Sequence, residues 1–290
     1  MTLGAKYESR REGNWRLQVL PERWSRDLWA EILSHLASAE PQEHPQTRRL
    51  RVSQARDCLA YYLKIYSPAS GAGVIKDLFR DSKAMRALKQ GEALSQQGFH
   101  APLAVARGEE RNSGVLRRAF LLTLELAAQP LAAVLRERLA PPLDRPAVRR
   151  KWKWSRQLAL EVRRFHQQGF VHGDLVASNV MVGLGEDGEA TFFFMDNDRT
   201  KRYPVWLPHR LWRRNLVQLN RIVLPGISLQ DRMRFLRIYL GDRPWGKSER
   251  RLIHWLEKRT RRRRKECESI EAQVSFRELM RWNGPFAKNL

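Results

Sequence analysis

The stretch Val171–Arg199 reads VHGDLVASNVMVGLGEDGEATFFFMDNDR. Two apolar segments, NVMVGL and ATFFFM, flank the glycine- and acid-rich GEDGE. Short apolar runs bounded by turn residues read as strands, so this span predicts a β-hairpin. Around it stand His172-Gly173-Asp174, then Asn179 five positions after that aspartate, and Asp196 after the second apolar run. Three oxygen-bearing side chains so placed can hold a divalent cation and orient a hydroxyl. They can also be turn formers, and Glu186, Asp187 and Glu189 are read that way.

Phosphoryl transfer suits this set. It needs magnesium across the phosphates, a carboxylate to orient and deprotonate the attacking hydroxyl, and a cation on the phosphates. His172, Gly173, Asp174 and Asn179 match the spacing His-x-Asp-x-x-x-x-Asn of a kinase catalytic loop. Asp196, at the end of the next apolar strand, supplies a second oxygen ligand beside Asn179. Upstream, YYLKIY puts Lys64 on a strand among alternating apolar residues. A lysine there is ordinarily an outward surface charge, but this order along the chain also fits a phosphate-binding role. Glu92 is the only acid between Ser82 and Glu109, which makes it the candidate to hold Lys64 from a helix. FLLTLELAA ends in Glu125 and Leu126, where a lobe-connecting segment would offer backbone groups to adenine. TRRLRVSQARDCLAYYLK, leading to Lys64, contains no glycine. That argues against the glycine-rich loop of an ordinary protein kinase, and for an atypical kinase or a pseudokinase with altered nucleotide binding.

The rest of the chain is read outward from here. Its 290 residues can build one large domain or two lobes. Residues 1–20 predict irregular chain or an edge strand. A helix is expected from Pro21, with Trp24, Leu28, Ile32, Leu33 and Leu36 on one face. Two strands follow, with a turn near Ala55–Asp57, then a loop over 71–80. Next come a helix capped by Ser82 and stopped near Gly98, and a hairpin over 101–126. A short helix begins at QPLAAVLRERLAPP, and a long one covers 146–169, with Leu158, Leu160, Val162, Phe165 and Phe170 as core. After the opening hairpin the chain reads as helices, broken near Pro204–Pro208, Pro225–Ser228 and Gly241–Lys247. The expected class is α+β and bilobal. Residues 1–126 form a nucleotide-binding lobe with an N-terminal helical extension; residues 127–290 form a helical lobe with the catalytic loop and substrate site.

Composition narrows the partners. Lys and Arg number 54 against 31 Asp and Glu, a net charge of +23. Such a field attracts nucleic acid, anionic headgroups or a phosphorylated glycolipid, although part of it is solvated surface. No helix-turn-helix, zinc spacing or RNP-like strand supports nucleic acid. Cys58 and Cys267 are far apart and outside any Cys-x-x-Cys, so neither a disulfide framework nor a zinc site is expected. The apolar runs are too short to span a bilayer and the first residues lack a signal-peptide core, so a cytoplasmic location is expected.

HGDL-x-x-S-N followed by MDNDR resembles the bacterial lipopolysaccharide core kinases, the Kdo and heptose kinases, a branch of the protein-kinase-like fold. Asp196-Asn197-Asp198-Arg199 stands where members carry Asp-x-Asp-Arg, and WRRNLVQLNRIVLPGISLQDRMRFLRIYL is similar to the helices that follow it. His-Gly-Asp alone also occurs in aminoglycoside phosphotransferases and choline kinases. The resemblance covers roughly residues 50–240. It implies ATP-dependent phosphorylation of a Kdo or heptose hydroxyl in the inner core. By that carry-over Asp174 is the catalytic base, Asn179 and Asp196 hold Mg2+, and Lys64 binds the α/β-phosphates with Glu92 orienting it. The glycine after His172 and the short segment after Asp198 make switching by activation-loop phosphorylation unexpected.

The same reading puts the protein on the inner face of the cytoplasmic membrane, held electrostatically beside an anionic glycolipid. Arg202, Arg210, Arg213 and Arg214, with Trp206 and Trp212, form a basic and aromatic cluster. It is either a substrate contact or a solvated helix face with core tryptophans. The run Arg261–Lys265 reads as a solvated helix face or a headgroup contact. The alternatives are an atypical protein or small-molecule kinase, and a pseudokinase scaffold for anionic partners.

Overall fold

A computed structural model of the chain describes residues 7–39, 45–54, 57–68, 80–206, 210–224, 226–241 and 244–265. The chain forms two compact units, Met1–Ala127 with Phe194–Arg199, and Ala128–Phe193 with Thr200–Leu290.

Strand alternation organises the first unit. β1 (Glu8–Glu12), β2 (Trp15–Val19), β3 (Gln46–Gln54), β4 (Asp57–Tyr66), β5 (Ala104–Asn112) and β6 (Val115–Leu124) form one antiparallel sheet, in the order β1-β2-β5-β6-β4-β3. On β4, Tyr61, Leu63 and Ile65 enter a core with Leu17, Val19, Phe120 and Leu122. Helix α1 (Arg26–Ala37) covers that core with Leu28, Ile32 and Leu36. Tyr66 points the other way and packs with Ala119 and Leu121 against Ala84, Ala87 and Leu88 of α2 (Lys83–Gln96). Side chains alternate along a strand, so Lys64 shares the α2 face with Tyr66. Both helices start at serine caps: Ser25 Oγ accepts from the Leu28 N–H, and Ser82 Oγ from the Met85 N–H, each at 3.1 Å. Gly108 lies opposite Phe120, and a Cβ there would stand 2.2 Å from the ring, so only glycine lets the Phe120 ring lie across the strand.

Several expectations change here. The first twenty residues hold a hairpin, and β2 is an interior strand with Leu17 and Val19 buried. Pro21–Arg23 is a 3-10 turn, and Trp24 precedes the helix to pack on Trp29. Leu33 is exposed, because it follows Ile32 by one residue and so leaves the buried stripe. Positions 55–56 of the expected β-turn and 71–79 of the expected loop lie outside the described residues, as does Cys267. Cys58 lies on β4, its side chain outside them.

The second unit is mostly helical: α3 (Leu131–Arg138), α4 (Arg145–Gln167), α5 (Trp212–Leu219), α6 (Leu229–Leu240) and α7 (Lys247–Lys265). Its strands are β7 (Gln129–Pro130), β8 (Phe170–Val171), β9 (Val180–Leu184), β10 (Ala190–Phe194) and β11 (Lys201–Arg202). They pair as β10-β9-β7 and β11-β8. Asp144 caps α4, accepting from the Ala147 N–H at 2.7 Å. The buried face of α4 carries Trp154, Leu158, Val162 and Phe165. Leu160, expected in the core, is exposed, because two residues past Leu158 a helix has turned about 200°, to the opposite face. Helices α4 and α6 pack together around a buried ion pair, Lys151 to Asp231 at 2.7 Å. Along α7, Leu252, Leu256 and Thr260 are buried at four-residue spacing. Arg264 continues that stripe and donates to the Asn220 carbonyl, whereas Arg261, Arg262 and Arg263 face solvent. Among the described residues no helix is long and apolar enough to cross a membrane.

Candidate active site

In the second unit β8 leads into His172-Gly173-Asp174, and side chains hold both main-chain groups of His172, the Gly173 carbonyl and both main-chain groups of Asp174. Asn215 of α5 grips His172 from both sides: its Oδ1 accepts from the His172 N–H at 2.9 Å, and its Nδ2 donates to the His172 carbonyl at 2.6 Å. Gln218, one turn on, donates through Nε2 to the Gly173 carbonyl at 3.2 Å and to Asp174 Oδ1 at 3.0 Å. Its Oε1 accepts from the Leu175 N–H and from Asn215 Nδ2. The Asp174 N–H donates to His172 Nδ1 at 3.0 Å, which fixes that nitrogen as the acceptor.

The support extends through two more helices. His166 of α4 lies 3.1 Å from Asn215 Oδ1 through Nε2, and 2.8 Å from the Tyr239 hydroxyl through Nδ1. An amide oxygen only accepts, so Nε2 carries the proton and Nδ1 accepts from Tyr239 of α6. Burial pushes the Tyr239 hydroxyl to ionise well above its ordinary range, which keeps it a donor. Asn215 is fully buried, and a buried amide with all its partners is a rigid fixture. Asn215 and Gln218 were read in the sequence only as part of a helix similar to the family's. Their signal was two amides three residues apart on a helix whose other buried positions are apolar.

Asn179 closes the loop in a 3-10 turn and donates through Nδ2 to the Asp174 carbonyl at 2.9 Å. Its Oδ1 accepts no hydrogen bond among the described residues. The acids of the β9–β10 turn are structural: Asp187 Oδ1 accepts from the Glu189 N–H, and Glu189 takes Lys153 and Gln157 of α4.

The first unit holds a second cluster. Asp196 has φ +56°, a left-handed conformation that aspartate tolerates better than most residues. After it, Asn197–Arg199 forms a 3-10 turn packed on α2. Read in the sequence as part of the C-terminal lobe, Phe194–Arg199 packs in this unit, where Phe194 donates its N–H to the His100 carbonyl. Lys64 Nζ lies 2.5 Å from Asp196 Oδ1 and 5.4 Å from the Tyr66 ring centroid. Asp198 is buried, and burial, then the neighbouring Asp196 carboxylate, raise its pKa above the usual carboxylate range. Burial and the same two carboxylates raise Tyr66. Asp198 belongs to the motif noted in the sequence, but no role was read for it.

These donors suit magnesium. Asp196 and Asp198 offer hard oxygens within this unit, and no group of three or more His, Cys, Asp or Glu that could hold a metal occurs among the described residues. Magnesium bound through one or two protein oxygens, with phosphates completing its shell, needs no larger cage.

Lys64 and Glu125, both expected near the nucleotide, are paired within the chain. Lys64 pairs with Asp196, and no ion pair joins it to Glu92 among the described residues. Two adjacent carboxylates make the stronger field, while Glu92 lies near Tyr7 with its pKa raised by burial. Glu125 donates its N–H to the Ala60 carbonyl at 2.9 Å, and its carboxylate takes Arg49 at 2.7 Å. The Leu126 N–H makes no main-chain hydrogen bond among the described residues.

Gln218→Leu tests the amide support. Misplacing Asp174 by an ångström lowers kcat about tenfold to a hundredfold, with the KM for ATP unchanged. Steady-state kinetics on both variables read this, and an equal rise in KM would mean general unfolding of the loop. Glu92→Gln tests the half-buried acid. With its folded pKa raised, Glu92 weakens the fold above that pKa, and the cost vanishes below the unfolded value of about 4.5. Thermal melts of the variant rise slightly at pH 8 and not at acid pH; the same gain at both would assign it to packing.

The basic and aromatic cluster divides. Trp212 stacks on His166 and Tyr239, and Arg213 lies over Trp212 and Trp255. Arg202, Trp206, Arg210 and Arg214 are exposed.

The model of the lipopolysaccharide kinase (Kdo/WaaP) family matches residues 35–239. No curated protein matches the chain. Among solved structures, one described as WaaP in complex with acyl carrier protein is similar in fold, with 24% identity and a TM-score of 0.55. The match covers 85% of this chain and 98% of that one.

Proposed function

The chain belongs to the lipopolysaccharide kinase (Kdo/WaaP) family and is an ATP-dependent phosphotransferase of the lipopolysaccharide core, and we propose that it phosphorylates a Kdo or heptose hydroxyl of the inner core at the cytoplasmic membrane face. The observation that carries this reading is the held carboxylate of Asp174. Gln218 engages one of its oxygens, which leaves the other for a substrate hydroxyl.

In this reading Asp174 orients the sugar hydroxyl and takes its proton as the oxygen bonds to the γ-phosphorus and ADP departs. Asn179 Oδ1 and the Asp196 carboxylate would hold magnesium, which would supply charge neutralisation for the phosphates. Lys64, now at Asp196, turns to the α/β-phosphates, and Glu92 backs it from α2. The Leu126 N–H and the Glu125 carbonyl take the adenine edge. The net charge of +23 favours an anionic glycolipid at a negative membrane surface.

The test is phosphate transfer from labelled ATP with magnesium to core-truncated lipopolysaccharide. Label entering the glycolipid with the intact protein, and not with Asp174→Ala, supports the reading. Saturable ATP binding with no label in any core acceptor would move the acceptor to another class.

A further inference from the structure

We propose that Pro204–Trp206 is a membrane-interface anchor that seats the catalytic turn against a bilayer carrying anionic headgroups. The proposal rests on the glycolipid reading above and names the surface on which that reaction runs.

Exposure singles this turn out. Trp206 is 79% exposed and Val205 69%, while the other exposed large hydrophobics among the described residues lie between 38% and 45%. Single exposed apolar residues are ordinary, but two adjacent ones left this bare are not. Neither makes a ring contact or a side-chain hydrogen bond among the described residues, whereas nearby Trp212 is stacked into the helices.

The base of the turn is fixed although its tip is bare. Lys201 pairs with Val171 and Arg202 with Phe170, and the Tyr203 N–H donates to the Gly169 carbonyl at 2.8 Å. Gly169 has φ +83°, and a Cβ there would meet the Tyr203 carbonyl oxygen at 2.0 Å, so a glycine is required for this approach. Val171 is three residues before Asp174, about 10 Å of chain at strand rise. A depth fixed at Trp206 is therefore passed to Asp174 through one strand pair.

The chemistry selects a bilayer interface. Tryptophan favours the boundary where one side is apolar and the other wet. Lys201, Arg202, Arg210 and Arg214 flank the turn in sequence and are exposed, placing cations where headgroup phosphates lie. A sugar ring would use the indole face, but it would give Pro204 and Val205 nothing to bind. The edge of the acyl region accommodates all three.

The experiment uses the full chain and the double variant Val205→Ser/Trp206→Ser. Cosedimentation with phosphatidylethanolamine–phosphatidylglycerol vesicles reads binding. Transfer from ATP to deacylated core oligosaccharide, and to intact lipopolysaccharide in vesicles, reads the reaction. We expect vesicle binding to weaken by at least about tenfold, given the apolar area withdrawn from lipid. Activity on vesicle-borne acceptor falls with it, and activity on the deacylated acceptor and thermal stability stay unchanged. Unchanged vesicle binding overturns the proposal. Equal losses on both acceptors overturn it in favour of a sugar contact. If the wild type phosphorylates neither acceptor, the acceptor reading fails, and the vesicle comparison still decides the anchor.

Discussion

Asp174→Asn lowers the rate of phosphate transfer by about 10²–10⁴-fold, the usual share of a positioned general base. The substitution is nearly isosteric. Its amide oxygen can still accept from Gln218 Nε2, and its main chain keeps the bonds to His172 Nδ1 and Asn179 Nδ2. The loop stays in place, while the negative charge and the proton acceptor are lost. ATP affinity, measured by equilibrium titration, is expected to stay within a factor of about two, because Asp174 is assigned to the hydroxyl and not to the phosphates. A variant that turns over at the wild-type rate would remove Asp174 from the chemistry. Joint loss of turnover and ATP binding would place it among the metal ligands.

Lys151→Met is the matching expectation for stability. Lys151 and Asp231 have side chains only 3% and 6% exposed, and the ammonium also donates to the Gly226 carbonyl. Removing one partner of a buried pair strands the other charge, which costs about 3–5 kcal/mol. Asp231 would keep the Ser228 N–H and hydroxyl, with Arg234 at 3.4 Å on its other oxygen. Those contacts soften the loss without replacing a cation. The melting temperature falls by on the order of 10 °C for a chain of this size. The double variant Lys151→Met/Asp231→Asn recovers much of it, since no charge is then stranded. A single variant that melts with the wild type would mean that water or Arg234 already neutralises Asp231. The pair also joins α4 to α6, the helices that carry His166 and Tyr239, so activity is expected to fade before the unit unfolds.

The turn proposed as catalytic was legible because its sequence signal is local. His172, Asp174 and Asn179 stand within eight residues, and Asp196 ends the next strand of the same hairpin. Lys64 was legible through the period of two along β4, which sets it with Tyr66 against α2. Its partner was not. A strand lysine reaches whichever acid the folded chain brings nearest, and here that acid is Asp196, 132 residues away. Nor was the amide support, since Asn215 and Gln218 act on residues 43 to 45 positions upstream. Helical periodicity locates a buried stripe, and it is silent on whether an amide within it meets a carbonyl or another helix.

By itself the sequence determined the α+β class, the helix start at Ser82, and the spacing of Asp174, Asn179 and Asp196 around a hairpin. Those features depend on caps, turns and periods that act over a few residues. Tertiary structure decided which side chains of one type were buried and which were left bare. Trp212 is half-buried against His166 and Tyr239 and Trp206 is bare; Arg264 turned inward and Arg262 did not. Burial depends on what packs over a position, and in this chain the covering element comes from far along the sequence.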